Sequence, residues 1–307
     1  MTQPVVRATT CGMEILRTPE ERFVDLPDYP WEPRYVDDLA GYEGMRLHYL
    51  DEGPGDAEVF LCLHGEPTWS FLYRKMIPIF LASGARVVAP DFFGFGKSDK
   101  PVDDATYTWS FHRNSLLRLV ERLDLQRVTL VVQDWGGLLG LTLPLDGPER
   151  YQRLLIMNTV LATGVVPPSK GFLAWRDYVA KTPDLDVAAL MQRADPSIDE
   201  RVAAAYAAPF PDDRHKAGVR RFPAMVPTDP EMEGAATSRD ALPFWASFTG
   251  KSFMAVGVQD PVLGPPAMRL MQSLIAGCPE PMMLEDAGHF VQEHGDVVAR
   301  AALEAWK

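Results

Sequence analysis

The segment 128–145 constrains this chain more than any other. It is apolar almost throughout, yet Gln133 and Asp134 stand in its middle and Gly136-Gly137 follow at once. A membrane-spanning helix needs about 18 apolar residues or more, and an acid at its centre is costly in lipid. A buried strand that ends in a sharp turn and runs into a helix accommodates the same residues. The turn then displays the Asp134 side chain above the sheet. The plainer reading is that Asp134 caps the helix, since Asp is favoured at that position.

The rest of the chain repeats the strand-then-helix rhythm. Short apolar runs at 46–50, 59–63, 86–89, 128–132, 154–157, 253–257 and 282–284 read as strands. Several are continuous rather than alternating, as expected where helices cover both faces of a parallel sheet. Helical patterns fall at 69–81, 107–123, 136–145, 267–275 and 296–306. The first forty residues carry Pro4, Pro19, Pro27, Pro30 and Pro33 and read as an irregular arm over the core. Residues 162–238 hold prolines and an Ala-rich helical segment at 202–208 but no β run, which predicts a helical cap inserted between two strands. The expected architecture is therefore α/β, with a mostly parallel central sheet, helices on both faces, a core of 1–161 and 239–307, and a cap of 162–238. Ligands bind such sheets at the carboxyl ends of the strands, under a cap of this kind.

Charge narrows the partners. The 30 Lys and Arg against 42 Asp and Glu give a net −12, which disfavours a nucleic-acid binder or an anionic lipid surface. Cys11, Cys62 and Cys278 are odd in number and show no disulfide or metal spacing, as suits a reducing compartment. With no basic region followed by an apolar run at the start, the expectation is a cytoplasmic monomer. No cofactor or metal is expected: His48, His112, His215 and His294 lack ligand spacing. The segment Gly94-Phe95-Gly96-Lys97-Ser98 fails as a phosphate loop, because Asp91 stands where the motif requires Gly. Cys62, inside an apolar strand, reads as core rather than as a nucleophile.

Four loops beyond strand ends hold the candidate chemistry. His64-Gly65-Glu66-Pro67 follows the run 59–63, Asp134 follows 128–132, and Asp260 lies three residues past 253–257. His289 stands in Asp286-Ala287-Gly288-His289-Phe290. Each alone is more often structural. Together they follow the order nucleophile, acid, base of the α/β-hydrolase triad, with Asp134 in place of the usual Ser at the nucleophile elbow.

At these residues the chain resembles the haloalkane dehalogenases. The resemblance rests on His64-Gly65-Glu66-Pro67-Thr68-Trp69-Ser70, Gln133-Asp134-Trp135-Gly136-Gly137, Gly171-Phe172-Leu173-Ala174-Trp175 and the run from Asp286 to Glu293. It extends over nearly the whole chain, in the branch whose catalytic acid follows the strand after the cap. It implies Asp134 as nucleophile, His289 as base and Asp260 as the acid that orients it. The backbone N–H groups of Glu66 and Trp135 would form the oxyanion hole, and the indole N–H groups of Trp135 and Trp175 would bind the halide. Leu138, Phe172, Phe222, Pro223, Val226 and Leu263 would line an apolar pocket for a small haloalkane, with water as co-substrate and halide as product.

The chemistry suits these residue types. Displacing halide from an sp³ carbon needs a nucleophile already ionised at neutral pH, and a dry pocket strips a carboxylate of the solvation that weakens it. An indole N–H donates only, so it can hold the leaving anion without acting as an acid. An epoxide hydrolase on the same fold would use the same three residues with cap tyrosines, here Tyr178 and Tyr206, as proton donors. A non-catalytic ligand receptor is the third reading.

Overall fold

The computed structural model describes residues 7–10 and 12–307, so Cys11 and Pro4 lie outside the described residues. The strands in chain order are β1 (Arg7–Thr10), β2 (Met13–Leu16), β3 (Arg34–Val36), β4 (Leu47–Glu52), β5 (Val59–Leu63), β6 (Arg86–Pro90), β7 (Lys100–Pro101), β8 (Val128–Gln133), β9 (Tyr151–Met157), β10 (Lys251–Gly257) and β11 (Met282–Leu284). Eight of them form the central sheet in the order β11-β10-β9-β8-β5-β6-β4-β3. The pairings from β11 through β6 are parallel, and β4 and β3 extend that edge antiparallel. The fold is that of the α/β hydrolases. All residues of β5 and β8 are buried, as continuous apolar strands in the middle of a doubly covered sheet must be.

The helices are α1 (Ile77–Ala82), α2 (Trp109–Arg122), α3 (Trp135–Gly140), α4 (Lys170–Lys181), α5 (Val187–Ala194), α6 (Glu200–Ala207), α7 (Ala217–Met225), α8 (Ala235–Asp240), α9 (Leu242–Ala246), α10 (Pro265–Leu274) and α11 (Gly295–Ala305). Six of these, α4 to α9, lie between β9 and β10. No helix of the described residues is long and apolar enough to cross a membrane.

Three expectations need correcting. The pattern at 69–81 is not one helix but a 3₁₀ turn, Ser70–Tyr73, followed by α1, which opens with Pro78 in its first turn. Proline lacks the N–H an interior position must donate, so it restarts a helix rather than continuing one. Pro144 likewise heads a separate 3₁₀ turn, Leu143–Asp146, after α3 ends at Gly140. The amino-terminal arm is also less irregular than its prolines suggest. It contributes β1 and β2 to a small sheet with β7, and β3 to the edge of the central sheet. The β1–β2 and β3–β4 pairs are local, but β2 with β7 joins Leu16 to Lys100, a distant pairing that proline spacing cannot register.

Topology places the site. The chain passes from β5 to β6 on one side and returns with β8 on the other, so the order reverses at the β5/β8 pair. The carboxyl ends diverge there and leave a crevice. The register sets Leu63 opposite Val132 and Gln133 opposite Met157, which brings the residues after β5, β8 and β9 side by side.

Candidate active site

Asp134 occupies the turn between β8 and α3 with φ 48° and ψ −126°. A non-glycine residue held there costs about 1–3 kcal/mol and persists only where its surroundings over-determine it. They do: its N–H donates to Asn158 O at 3.0 Å, and its carbonyl accepts from Thr159 Oγ1 at 2.6 Å and from Gly137 N–H at 2.9 Å. The close approach also demands glycine nearby. A Cβ on Gly65 would overlap the Asp134 carboxylate, and one on Gly136 would overlap the carbonyl of Leu63. The helix-cap reading fails, because the Asp134 side chain makes no cap bond to α3.

Its carboxylate instead turns to the loop after β5. Oδ1 accepts the Glu66 N–H at 2.8 Å, and the Trp135 N–H also bonds the group. Oδ2 lies 3.7 Å from His289 Nε2, too far for a hydrogen bond. On its other side, His289 Nδ1 is 2.7 Å from Asp260 Oδ2. Asp260 is buried and further held by Asn158 Nδ2 at 2.9 Å and by the N–H groups of Val262 and Leu263 at 2.8 and 3.1 Å. The structure therefore brings Asp134, His289, Asp260, Glu66 and Trp135 together.

Burial pushes the Asp260 carboxyl up, but the His289 charge and hydrogen bond, with Asn158 and Val262, outweigh it and hold the group at about 2. Burial lowers His289, but the adjoining Asp260 and then Asp134 raise it to about 9. Asp134 itself is raised, chiefly by burial, against the His289 charge and its two N–H donors. The Glu66 carboxyl is pushed well above the usual range by burial and by Asp134, with the Trp175 indole N–H contacting it from the cap.

The remaining predicted residues are placed less uniformly. Phe222 is buried with its ring 4.6 Å from that of Trp135, and Leu138 is buried three residues along the same helix as Trp135. Trp175 lies on α4, half-buried. Phe172 on the same helix carries the Arg176 guanidinium 5.6 Å from its ring centre. Pro223 lies within α7, Val226 follows it, and Leu263 belongs to the Asp260 loop. For these last four the structure gives a place in the fold rather than a contact with Asp134.

Neither Tyr178 on α4 nor Tyr206 on α6 has a hydrogen bond to Asp134. Tyr206 donates to Glu293 within a buried cluster in which Arg74 makes two bonds to that carboxylate, at 2.8 and 2.7 Å. Tyr178 is exposed beside Trp175, with Arg193 over its ring. The phenols required for epoxide opening are thus engaged elsewhere or turned to solvent. Among the described residues no cluster suited to a metal ion occurs.

Sequence reasoning missed three contributors. Asn158 joins Asp134 and Asp260 by donating to one and accepting from the other. It directly follows the apolar run 154–157, the criterion that singled out Asp260. Gln133 Nε2 lies 2.8 Å from His289 Nε2 and donates to His289 O at 3.1 Å. Glu293, inside a quoted motif, braces the segment four residues after His289.

The family model described as alpha/beta hydrolase fold matches residues 58–296. A haloalkane dehalogenase of Psychrobacter cryohalolentis is 41% identical over 95% of this chain and 98% of its own length. Haloalkane dehalogenase 1 of Mycobacterium tuberculosis is 40% identical over 96% of this chain and 99% of its own. The tetrameric structure of haloalkane dehalogenase DpaA from Paraglaciecola agarilytica superposes with a TM-score of 0.93 at 51% identity, covering 95% of this chain and 99% of that one. Haloalkane dehalogenase DatA from Agrobacterium tumefaciens, at 22% identity and a TM-score of 0.73, shares the fold.

Proposed function

This chain belongs to the haloalkane dehalogenases, hydrolases that cleave carbon–halogen bonds, and from that premise we propose how its own residues divide the reaction. A haloalkane and water give an alcohol, a halide ion and a proton. Asp134 Oδ1 lies against the Glu66 N–H at 2.8 Å, whereas Oδ2 has no such donor. Oδ2 is therefore the attacking atom: it forms a bond to carbon as the carbon–halogen bond breaks. Oδ1 becomes the carbonyl oxygen of the resulting ester, already seated against the Glu66 N–H.

The leaving halide gathers charge and takes hydrogen bonds from the indoles of Trp135 and Trp175. Trp175 must then turn its N–H from the Glu66 carboxyl to the anion. Each such bond to an ion contributes roughly 1.5–3 kcal/mol. In the second step His289 takes a proton from water, whose oxygen attacks the Asp134 carboxyl carbon. The tetrahedral oxyanion forms on Oδ1 against the Glu66 and Trp135 N–H groups. Asp260 stabilises the imidazolium that results. Collapse expels the alcohol and restores the carboxylate.

We read 162–238 as the cap and 1–161 with 239–307 as the core, with Phe222, Leu138, Phe172, Pro223, Val226 and Leu263 facing a small apolar substrate. The observation that carries the proposal is the unequal setting of the two Asp134 oxygens, one held and one free. Against the monomer expected from the sequence stands the tetrameric relative at 51% identity, and light scattering separates the 34.2 kDa chain from a fourfold mass.

The test separates the two steps. A His289→Gln variant mixed with a bromoalkane should expel bromide once and stall, with intact mass showing one added alkyl group on the peptide bearing Asp134. An adduct on Cys62, His64 or another residue, or none in a folded variant, refutes the assignment.

A further inference from the structure

We propose that Gln133 is a positioning residue for the base: its side-chain amide N–H serves as a placeholder donor that opposes protonation of His289 Nε2 and, on the neutral ring, keeps its lone pair directed at the reacting carboxyl until water takes its place. The proposal rests on the assignment of His289 as base. It begins from the last residue of β8, whose side chain is fully buried between the nucleophile turn and the His289 loop. The amide nitrogen lies 2.8 Å from His289 Nε2 and 3.1 Å from the His289 carbonyl. A carbonyl oxygen only accepts, so the atom facing it must be the amide nitrogen and not the amide oxygen. One N–H therefore goes to the carbonyl and the other points at Nε2, where only a lone pair can receive it. Gln133 Oε1 is buried and takes no partner of its own. The side chain is thus anchored on His289, not held from elsewhere.

The groups facing the imidazole pull against one another. Asp260, from the loop after β10, faces Nδ1 at 2.7 Å, and Asp134, from the turn after β8, faces Nε2 at 3.7 Å. Both carboxylates favour the imidazolium. The Gln133 N–H opposes them, because a second proton on Nε2 would meet a donor head-on. With Nδ1–H committed to Asp260, the tautomer that remains has its lone pair on Nε2. That is the atom that must take a proton from water in ester hydrolysis. An incoming water donates to the same lone pair, so one hydrogen bond is exchanged for another and the ring need not rotate.

Two substitutions test this in the full-length protein. Gln133→Met keeps the length of the chain and removes the donor, and Gln133→Glu replaces the donor with an acceptor. The pKa of His289, followed by NMR titration of the ring C–H, should rise in the order wild type, Met, Glu. The first step should be about tenfold in the protonation equilibrium. In single-turnover experiments the acid limb of ester hydrolysis should move to higher pH with it, while hydrolysis on the alkaline plateau changes little. A packing role alone lowers the rate at every pH without moving the limb. Equal titration of wild type and Gln133→Met, or a limb that does not follow the imidazole, overturns the proposal. Should the Glu variant fail to fold, the Met variant alone decides. Failure of His289→Gln to trap an ester would instead refute the base assignment and leave the titration order readable.

Discussion

In the proposed mechanism alkylation of Asp134 removes a negative charge from beside His289, and an Asp134→Asn substitution reproduces the loss with the shape unchanged. At 3.7 Å and an effective dielectric of 20, a unit charge pair is worth about 4 kcal/mol, equivalent to roughly three pH units. Asp260 is the larger influence on the imidazole and remains in place, so the Asp134 share is below that ceiling. His289, raised to about 9 in the wild type, should therefore titrate roughly two pH units lower in Asp134→Asn. The expected consequence is mechanistic: the proposed ester-forming step would also lower the affinity of the imidazole for its proton, readying the proposed base for the next step. NMR titration of the His289 ring provides the assay. Intact mass must accompany it, because a site built to hydrolyse an ester at residue 134 can also attack the amide and restore the carboxylate. Stability supplies an independent sign. A group whose pKa is raised on folding stabilises fully below its unfolded value near 6.5 and loses that contribution as pH rises through the folded value, about 9. Between those limits Asp134→Asn should flatten the fall of stability with pH. Unchanged titration of His289 in a variant shown by mass to retain the amide at position 134 refutes the coupling.

Other outcomes follow from the same geometry. Trp175→Phe keeps the ring on α4 but removes the N–H, so turnover should fall at least about tenfold and halide quenching of tryptophan fluorescence should weaken. Unaltered kinetics would make Trp175 a packing residue. Glu293→Gln leaves the Arg74 guanidinium, 1% exposed, without its anionic partner. Removing one member of a buried pair costs about 3–5 kcal/mol, so thermal unfolding should shift down by several degrees. A midpoint equal to that of the wild type would show that the cluster contributes nothing net.

The sequence determined the strand-and-helix rhythm and the family to which the chain belongs. Strands 59–63 and 282–284 have the same limits in the structure, since a continuous apolar run bounded by turn residues leaves little choice of ends. Asp134, Asp260 and His289, which the structure brings together, stood out because each lies just behind such a run. Tertiary structure alone decided the rest. Strand order put β8 beside β5, and register then set Gly65 against Asp134 and Asn158 between Asp134 and Asp260. Nothing local to residue 158 or 133 announces a partner 102 or 156 positions away. The pairing of β2 with β7 escaped notice for the same reason. Tyr206 shows the converse: its presence between β9 and β10 kept a second chemistry open, and the direction of its hydroxyl, toward Glu293, is visible only in the fold. Composition and periodicity are properties of neighbours along the chain. A hydrogen bond between distant loops depends on how the sheet is threaded, which is a property of the whole fold.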